Sequence, residues 1–313
     1  MKLALVGYTG FVGSNICASG QFDGLYNSKN VGEAWFSHPD LLVYAGVRAE
    51  KYLANQNPFA DMAQIDIAFD NIDKIAPTRL VLISTIDVLS NPDNADETCI
   101  SDIEALKRDG QAYGSNRLIL EERVREKFPD ALIVRLPALF GKNIKKNFIY
   151  DFIHRIPFML KTAKMDELCA IDGDIRSYYD LQQNGFYKLR AIDDAAKKVL
   201  KDKFLKVGFD ALQFTDSRNV FQFYPLRRLW DDIQLALKYD IRLLHTATEP
   251  VSAAEIYEAL THKQFVNEIL PVPLKYNYKS IYAEKFGGKN GYLCDKSQVL
   301  SEICAFVASQ KDA

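Results

Sequence analysis

The chain has 313 residues, 48% of them hydrophobic and 26% charged, which is enough apolar material for one large domain or two ordinary ones. A formal net charge of -2 without any long Lys or Arg run leaves no electrostatic footprint for nucleic acid or an anionic membrane. The cysteines (Cys17, Cys99, Cys169, Cys294 and Cys304) are dispersed, with no CxxC pair and no metal spacing, and read as reduced thiols.

The start MKLALVGYTGFVGSNICASG does not read as a leader, because Thr9, Ser14 and Asn15 break its apolar stretch too soon. No stretch reaches the roughly 18 apolar residues that a membrane span requires. A cytoplasmic protein without a membrane or nucleic-acid partner is therefore predicted.

In chain order, four short apolar runs read as strands: Leu3–Val6, Asp40–Ala45, Arg79–Ile83 and Ala131–Arg135. Apolar residues at three- and four-residue spacing predict helices over Ala60–Ile75 and Gly114–Lys127. The interval from Gly13 to Asp40 has room for one helix and a weak strand at Gly24–Tyr26. Strands alternating with helices imply an α/β fold, a doubly wound parallel sheet of the Rossmann type, over about residues 1–145. Residues 146–313 are predicted to form mostly a second, smaller lobe for substrate, with some strands, such as Asp240–Leu244, returning to the main sheet. The aromatic-rich stretches RSYYDL and FQFYPLRRLW lie in this half.

The first strand runs straight into GYTGFVGSN, with Gly7, Gly10 and Gly13 three apart. At a strand-to-helix turn such glycines permit a tight bend, close approach of a phosphate, and close packing of helix on strand. Backbone N–H groups and the positive end of the helix dipole then favour a pyrophosphate. A dinucleotide site is predicted over a purely structural turn.

This G-x-x-G-x-x-G, with Thr9 before the middle glycine and Phe11-Val12 after it, resembles the extended short-chain dehydrogenase/reductase family of sugar-nucleotide epimerases, dehydratases and ketoreductases. The resemblance predicts an acid at the end of the second strand to hold the adenosine ribose. The chain has Asn27-Ser28-Lys29 there, which tolerates a 2′-phosphate and favours NADP over NAD; an ordinary polar turn is the bland alternative. Ala45-Gly46-Val47 matches the small residues that flank the cofactor at the end of the next strand. Asn57-Pro58 matches a helix start some ten residues later.

Ser84-Thr85-Ile86-Asp87-Val88, at the carboxyl end of the third run, resembles the S-T-D-x-V pattern of family reductases and dehydratases. Tyr113 and Arg117 lie four apart, on one face of the next helix. They match the family's Tyr-x-x-x-Lys in position and depart from it in type at Arg117. A free tyrosine titrates near 10 and needs a cation within about 4–6 Å to become a base near neutral pH. The family's lysine does this while also bonding the nicotinamide ribose. By the resemblance, Thr85 or Ser84 bonds the substrate oxygen, Tyr113 moves the proton, and Arg117 replaces the lysine. Arg117 differs from it in shape and reach, so full, slowed and absent turnover are all open.

The family's dehydratases carry two acids after the Thr. Ile86-Asp87 holds one, which disfavours dehydration and leaves ketoreduction or epimerisation. Val134–Gly141 resembles the family's R-x-P-x-x-Y-G segment, whose backbone near Pro137 passes the nicotinamide; Ala138 stands where some members have a substrate-binding Asn. Asp87, Asn147 (after Lys145-Lys146), Arg176, Arg218, Gln222 and Tyr224 are candidate contacts to the substrate, the last four of them from the second lobe. The histidines form no cluster and carry no role.

The resemblance implies an NAD(P)-dependent oxidoreductase acting on a nucleotide-linked sugar in the supply of surface-polysaccharide precursors. A 4-keto-sugar reductase is favoured over an epimerase that retains its cofactor. The rival is a non-catalytic NADP-binding regulator or scaffold of the same fold. By family analogy the chain is a homodimer.

Overall fold

Alternation along the strands builds the two covered faces of the central sheet. The computed structural model describes residues 1–182 and 184–310. In chain order, its first elements are β1 (Leu3–Val6), α1 (Phe11–Ser19), β2 (Gly24–Tyr26), β3 (Leu41–Tyr44), α2 (Lys51–Gln56) and α3 (Pro58–Ile75). Then come β4 (Arg79–Thr85), α4 (Ile103–Arg108), α5 (Ala112–Lys127), β5 (Leu132–Leu136) and β6 (Ala138–Phe140). Successive strand residues point to opposite faces. Leu5, Val43, Val81 and Val134 therefore pack with Ile16 of α1 and with Leu229, Trp230 and Ile233 of the helix Leu229–Lys238. Ala4, Val6, Leu42, Leu80, Leu82 and Ile133 pack on the other side against Ile65, Ile72 and Ile75 of α3 and Leu120 and Val124 of α5.

The sheet has six parallel strands in the order Leu243–His245, β5, β4, β3, β1, β2. From β1 the chain goes first to β2 on one side and then to β3 on the other. This reversal is the switch point outside whose carboxyl ends open α/β sheets bind ligands. The fold class is the α/β Rossmann type expected from the sequence.

The chain divides into two units. The first comprises 1–144, 220–251 and 275–303, and the second 145–219, 252–274 and 304–313. The return to the first unit is thus broader than a strand near 240–244. It includes Phe223–Pro225, which pairs in parallel with β6.

The second unit has its own core of Ile156, Leu160, Met165, Leu168, Ile175, Leu200 and Phe204. It also carries a three-stranded antiparallel sheet in the order Met159–Lys161, Phe186–Leu189, Tyr179–Leu181. These strands are three or four residues long and mostly exposed or half-exposed, too short to show alternation in sequence.

Candidate active site

The glycine turn sits at the switch point. Gly7 has φ +92°, and a Cβ there would lie 2.4 Å from the Ala45 carbonyl oxygen. A Cβ on Gly13 would lie 2.1 Å from the Gly7 oxygen, so α1 rests directly on the turn. Gly10 caps α1 without a side chain and leaves the first turn of helix open, next to exposed Thr9. Phe11 and Val12 turn back against the core. This narrow, side-chain-free cradle at a helix start fits a pyrophosphate.

Asn27, Ser28 and Lys29 follow β2 on the same edge. The Asn27 side chain accepts from the Lys29 N–H at 2.9 Å, while Ser28 and Lys29 themselves are exposed. Ala45, Gly46 and Val47 follow β3, where the Ala45 N–H donates to the Val6 carbonyl at 2.9 Å. Pro137 stands half-buried between β5 and β6.

At the end of β4, the Thr85 hydroxyl accepts from the Asp87 N–H at 3.2 Å and donates to the Asp87 carboxylate at 3.4 Å. Helix α5 comes down directly onto this turn, since a Cβ on Gly114 would lie 2.0 Å from the Asp87 carbonyl oxygen. That contact brings Tyr113 to Thr85. Burial pushes the Tyr113 phenol upward; Arg117, Lys51 and a hydrogen bond with Thr85 pull it back, and Asp87 adds to the rise. The net shift is upward, so Tyr113 keeps its proton at neutral pH.

Arg117 is buried, and its guanidinium lies 3.8 Å from the centroid of the Tyr113 ring. One terminal nitrogen donates to Asp61 at 2.5 Å and to the Tyr113 carbonyl at 3.2 Å, and the other to the Arg48 carbonyl at 2.8 Å. Asp61 sits in the first turn of α3, a helix started by Asn57 as cap and Pro58 as first residue.

Ser84 lies on the opposite face of β4 from Thr85, and its hydroxyl donates to Glu121 at 2.5 Å. Glu121 is fully buried and takes two nitrogens of Arg135, at 3.1 and 2.6 Å. Arg135 in turn meets His245 at 3.2 Å. Ser84 is thus part of an interior network and does not join Thr85 beside Tyr113.

Two residues expected as second-lobe contacts are core residues of the first unit. The Gln222 amide donates to the Thr248 and Tyr278 carbonyls at 2.6 and 2.9 Å, and its oxygen accepts from the Tyr278 N–H. Tyr224 is fully buried and donates to Asp232. Parallel pairing of Phe223–Pro225 with β6 draws Tyr224 inside, and Gln222 beside it is buried as well, so neither side chain is open to a nucleotide.

The other three expected contacts lie in the second unit. The Asn147 oxygen accepts from the Ile149 and Tyr150 N–H groups as the cap of Phe148–His154. Arg176 pairs with Asp166 on the surface. Arg218 pairs with the buried Asp216 and with Glu268, and donates to the Leu270 carbonyl.

The sequence reading missed Lys51. Its ammonium lies 2.7 Å from the Asp87 carboxylate. Burial opposes its charge, but Asp87 and Tyr276 outweigh burial and raise the ammonium. Asn55, one turn further along α2, accepts from the Tyr113 N–H at 2.8 Å and holds α2 in place.

Solved structures share this architecture along the whole chain. A dTDP-4-dehydrorhamnose reductase from Yersinia enterocolitica superposes with a TM-score of 0.62 at 14% identity, covering 98% of this chain and 99% of its own. A UDP-glucose 4-epimerase from Thermotoga maritima, solved with UDP-glucose, gives 0.60 at 12%, covering 100% and 99%. The RMD protein of Pseudomonas aeruginosa, complexed with NADPH, gives 0.59 at 13%, covering 99% and 100%.

The chain has the fold of the extended short-chain dehydrogenase/reductases. No family model matches it. No curated protein matches it either. The likeness to this fold is therefore carried by backbone geometry, and the site residues rest on the contacts described above.

Proposed function

We propose that the protein is an NAD(P)-dependent oxidoreductase that reduces a 4-keto sugar linked to a nucleotide, with Tyr113 as proton donor. The observation that carries this reading is Tyr113 itself, buried on α5 where Gly114 seats that helix on the Thr85–Asp87 turn at the carboxyl edge of the sheet; burial holds its phenol above the ordinary value. Carbonyl reduction needs an acid at the oxygen, and a buried phenol held above its ordinary value is one at neutral pH. The solved structures with NADPH and with UDP-glucose support the ligand classes.

In this reading Gly7, Gly10 and Gly13 hold the pyrophosphate, and Thr9, Phe11 and Val12 shape its cradle. Ala45, Gly46 and Val47 pass the adenosine side, and Pro137 the nicotinamide. Asn27, Ser28 and Lys29 face the adenosine ribose, where a cation and two neutral groups favour NADP. When bound, the cofactor supplies hydride to the carbonyl carbon. Thr85 orients the substrate oxygen, and Tyr113 donates its proton to it. Arg117 fixes the plane of the Tyr113 ring and lowers the cost of any phenolate. Asp87 remains as a substrate contact. The product feeds surface-polysaccharide synthesis, and the protein works as a cytoplasmic homodimer.

A second reading, a nucleotide-binding protein without turnover, is favoured by one observation: Arg117 is engaged with Asp61 and Arg48. The purified protein decides between them. Its bound nucleotide is identified by mass, and consumption of NADPH is followed with dTDP- and UDP-4-keto sugars. Consumption that Tyr113→Phe abolishes supports the reductase. Bound nucleotide with no consumption, in wild type as in variant, supports the second reading.

A further inference from the structure

The Lys51–Asp87 pair stands at the carboxyl edge of the sheet, with side chains 42% and 19% exposed and charged groups 2.7 Å apart. An ion pair this open to water contributes little to stability. Its hydrogen bonds are also incomplete. Lys51 meets one Asp87 oxygen, with Tyr276 beside it, and an ammonium has three donors, so one is left over. Among the described residues, the other Asp87 oxygen has a single donor, the Thr85 hydroxyl at 3.4 Å. That is beyond the ordinary limit of about 3.0 Å for such a bond. An acceptor and a donor thus stand side by side, next to the Thr85 hydroxyl. Both are held before any ligand arrives. The Asp87 N–H donates to Thr85 at 3.2 Å, and Lys51 opens α2, which Asn55 ties to the Tyr113 N–H at 2.8 Å.

We propose that Lys51 and Asp87 together hold the sugar hydroxyl on the carbon next to the keto group, and so select substrates that carry it. This rests on the reductase reading above, in which Thr85 bonds the keto oxygen. Oxygens on adjacent ring carbons of a sugar lie about one hydrogen-bond length apart. That spacing suits a site where the Thr85 hydroxyl and the Asp87 oxygen are 3.4 Å apart. In a 4-keto pyranose the neighbouring hydroxyl is the 3-hydroxyl, because the other neighbouring carbon bears the ring oxygen. The 3-hydroxyl donates to the loosely bonded Asp87 oxygen and accepts from Lys51. As it arrives, the Thr85 hydroxyl gives up its long bond to Asp87 and turns to the keto oxygen.

A 3-deoxy sugar would place a bare CH₂ against these two charges and leave their spare donor and acceptor unmatched. A site built to bond a hydroxyl rejects the analogue that lacks it for this reason. Because the ion pair is already formed, little side-chain ordering is lost when the hydroxyl enters. The pair makes and breaks no covalent bond. Lys51 and Asp87 set which sugar is accepted, and proton donation stays with Tyr113.

The test uses the full chain with NADP⁺, which cannot reduce a ketone. Calorimetry compares dTDP-4-keto-6-deoxyglucose with its 3-deoxy analogue, and the corresponding UDP-linked pair. Wild type is expected to bind the 3-hydroxy sugar about 10–100-fold more tightly. In Lys51→Met that preference is expected to drop about tenfold, with the 3-deoxy sugar bound as by wild type. A merely structural role would weaken both sugars alike. Asp87→Ala serves as the second variant if Lys51→Met does not fold. Equal binding of the two sugars by wild type, or a preference that survives in the folded variants, overturns the proposal. Turnover with NADPH separates it from the reading beneath it. Preference in binding without turnover leaves the hydroxyl site standing and the reductase reading fallen. Turnover of both sugars at equal kcat/KM does the reverse, and binding of neither sugar overturns both.

Discussion

The Arg117 guanidinium lies over the Tyr113 ring, 3.8 Å from its centroid, while its terminal nitrogen holds Asp61. A single buried cation therefore ties three elements together: the Tyr113 turn of α5, the first turn of α3, and the Arg48 carbonyl between β3 and α2. Removing it leaves the Asp61 carboxylate buried without its partner. Arg117→Met is expected to cost about 3–5 kcal/mol in denaturant unfolding, and the double variant with Asp61→Asn less than the sum of the two singles. Additive costs would mean that the pair is uncoupled.

Gly114 sets the seat of α5. Its Cβ would meet the Asp87 carbonyl at 2.0 Å, and backbone on both sides leaves nothing flexible to give way. Gly114→Ala is expected to lose about 1–3 kcal/mol of stability and to move Tyr113 away from Thr85. The folded fraction of the variant should still bind the nucleotide, because the cradle at Gly7–Gly13 is remote from this contact in sequence. Titration calorimetry and an unfolding curve check the two halves of this expectation.

The glycines of the turn should respond differently to the same methyl group. At Gly13 a Cβ would lie 2.1 Å from the Gly7 oxygen, whereas at Gly10 it would lie 3.2 Å from the same atom. Gly13→Ala is expected to destabilise the fold. Gly10→Ala should fold nearly normally and bind NADPH more weakly, because its methyl group enters the cradle itself. A Gly10→Ala protein with wild-type affinity in calorimetry would remove the pyrophosphate from this turn.

Among the histidines, His245 should mark the acid limb of stability. It is fully buried; burial, and then the adjacent Arg135, lower its ring from the ordinary 6.5 to about 3. Above pH 6.5 the ring is neutral in folded and unfolded chains alike. Below it the unfolded chain takes up a proton that the folded one refuses, so stability falls as the pH drops from 6.5 towards 3. One such group contributes a slope of about 1.4 kcal/mol per pH unit. His245→Gln should flatten the curve in that window relative to wild type, as read from denaturation midpoints.

Local signals made much of the fold legible. The run Leu3–Val6 and the weak strand Gly24–Tyr26 are strands with those bounds, because each is a short apolar stretch closed by turn residues. The carboxyl end of β4 was legible as the end of an apolar run, and Tyr113 and Arg117 as a pair four residues apart on a helix that resembles the family's Tyr-x-x-x-Lys. Contacts between distant segments were not. The partner of Arg117 is 56 residues away, and Asn55 is 58 residues from Tyr113. Lys51 lies in KYLANQ, too short a helix to show an apolar period.

Gln222 and Tyr224 illustrate the converse error. Polar groups in an aromatic-rich stretch suggested a nucleotide contact, but both side chains are buried and hydrogen-bonded inside the first unit. Only Gly114 left a usable mark, as a glycine inside a helical pattern beside the key tyrosine.

The central claim is that Tyr113 donates the proton in a nucleotide-sugar reduction. The direct measurement is NADPH consumption by the purified protein with a dTDP- or UDP-linked 4-keto sugar, for wild type and Tyr113→Phe side by side. The expected result is turnover in wild type and a loss of about 10²–10⁴-fold in the variant, with NADPH affinity unchanged. Equal rates in the two proteins, both folded and both binding NADPH, would contradict the account.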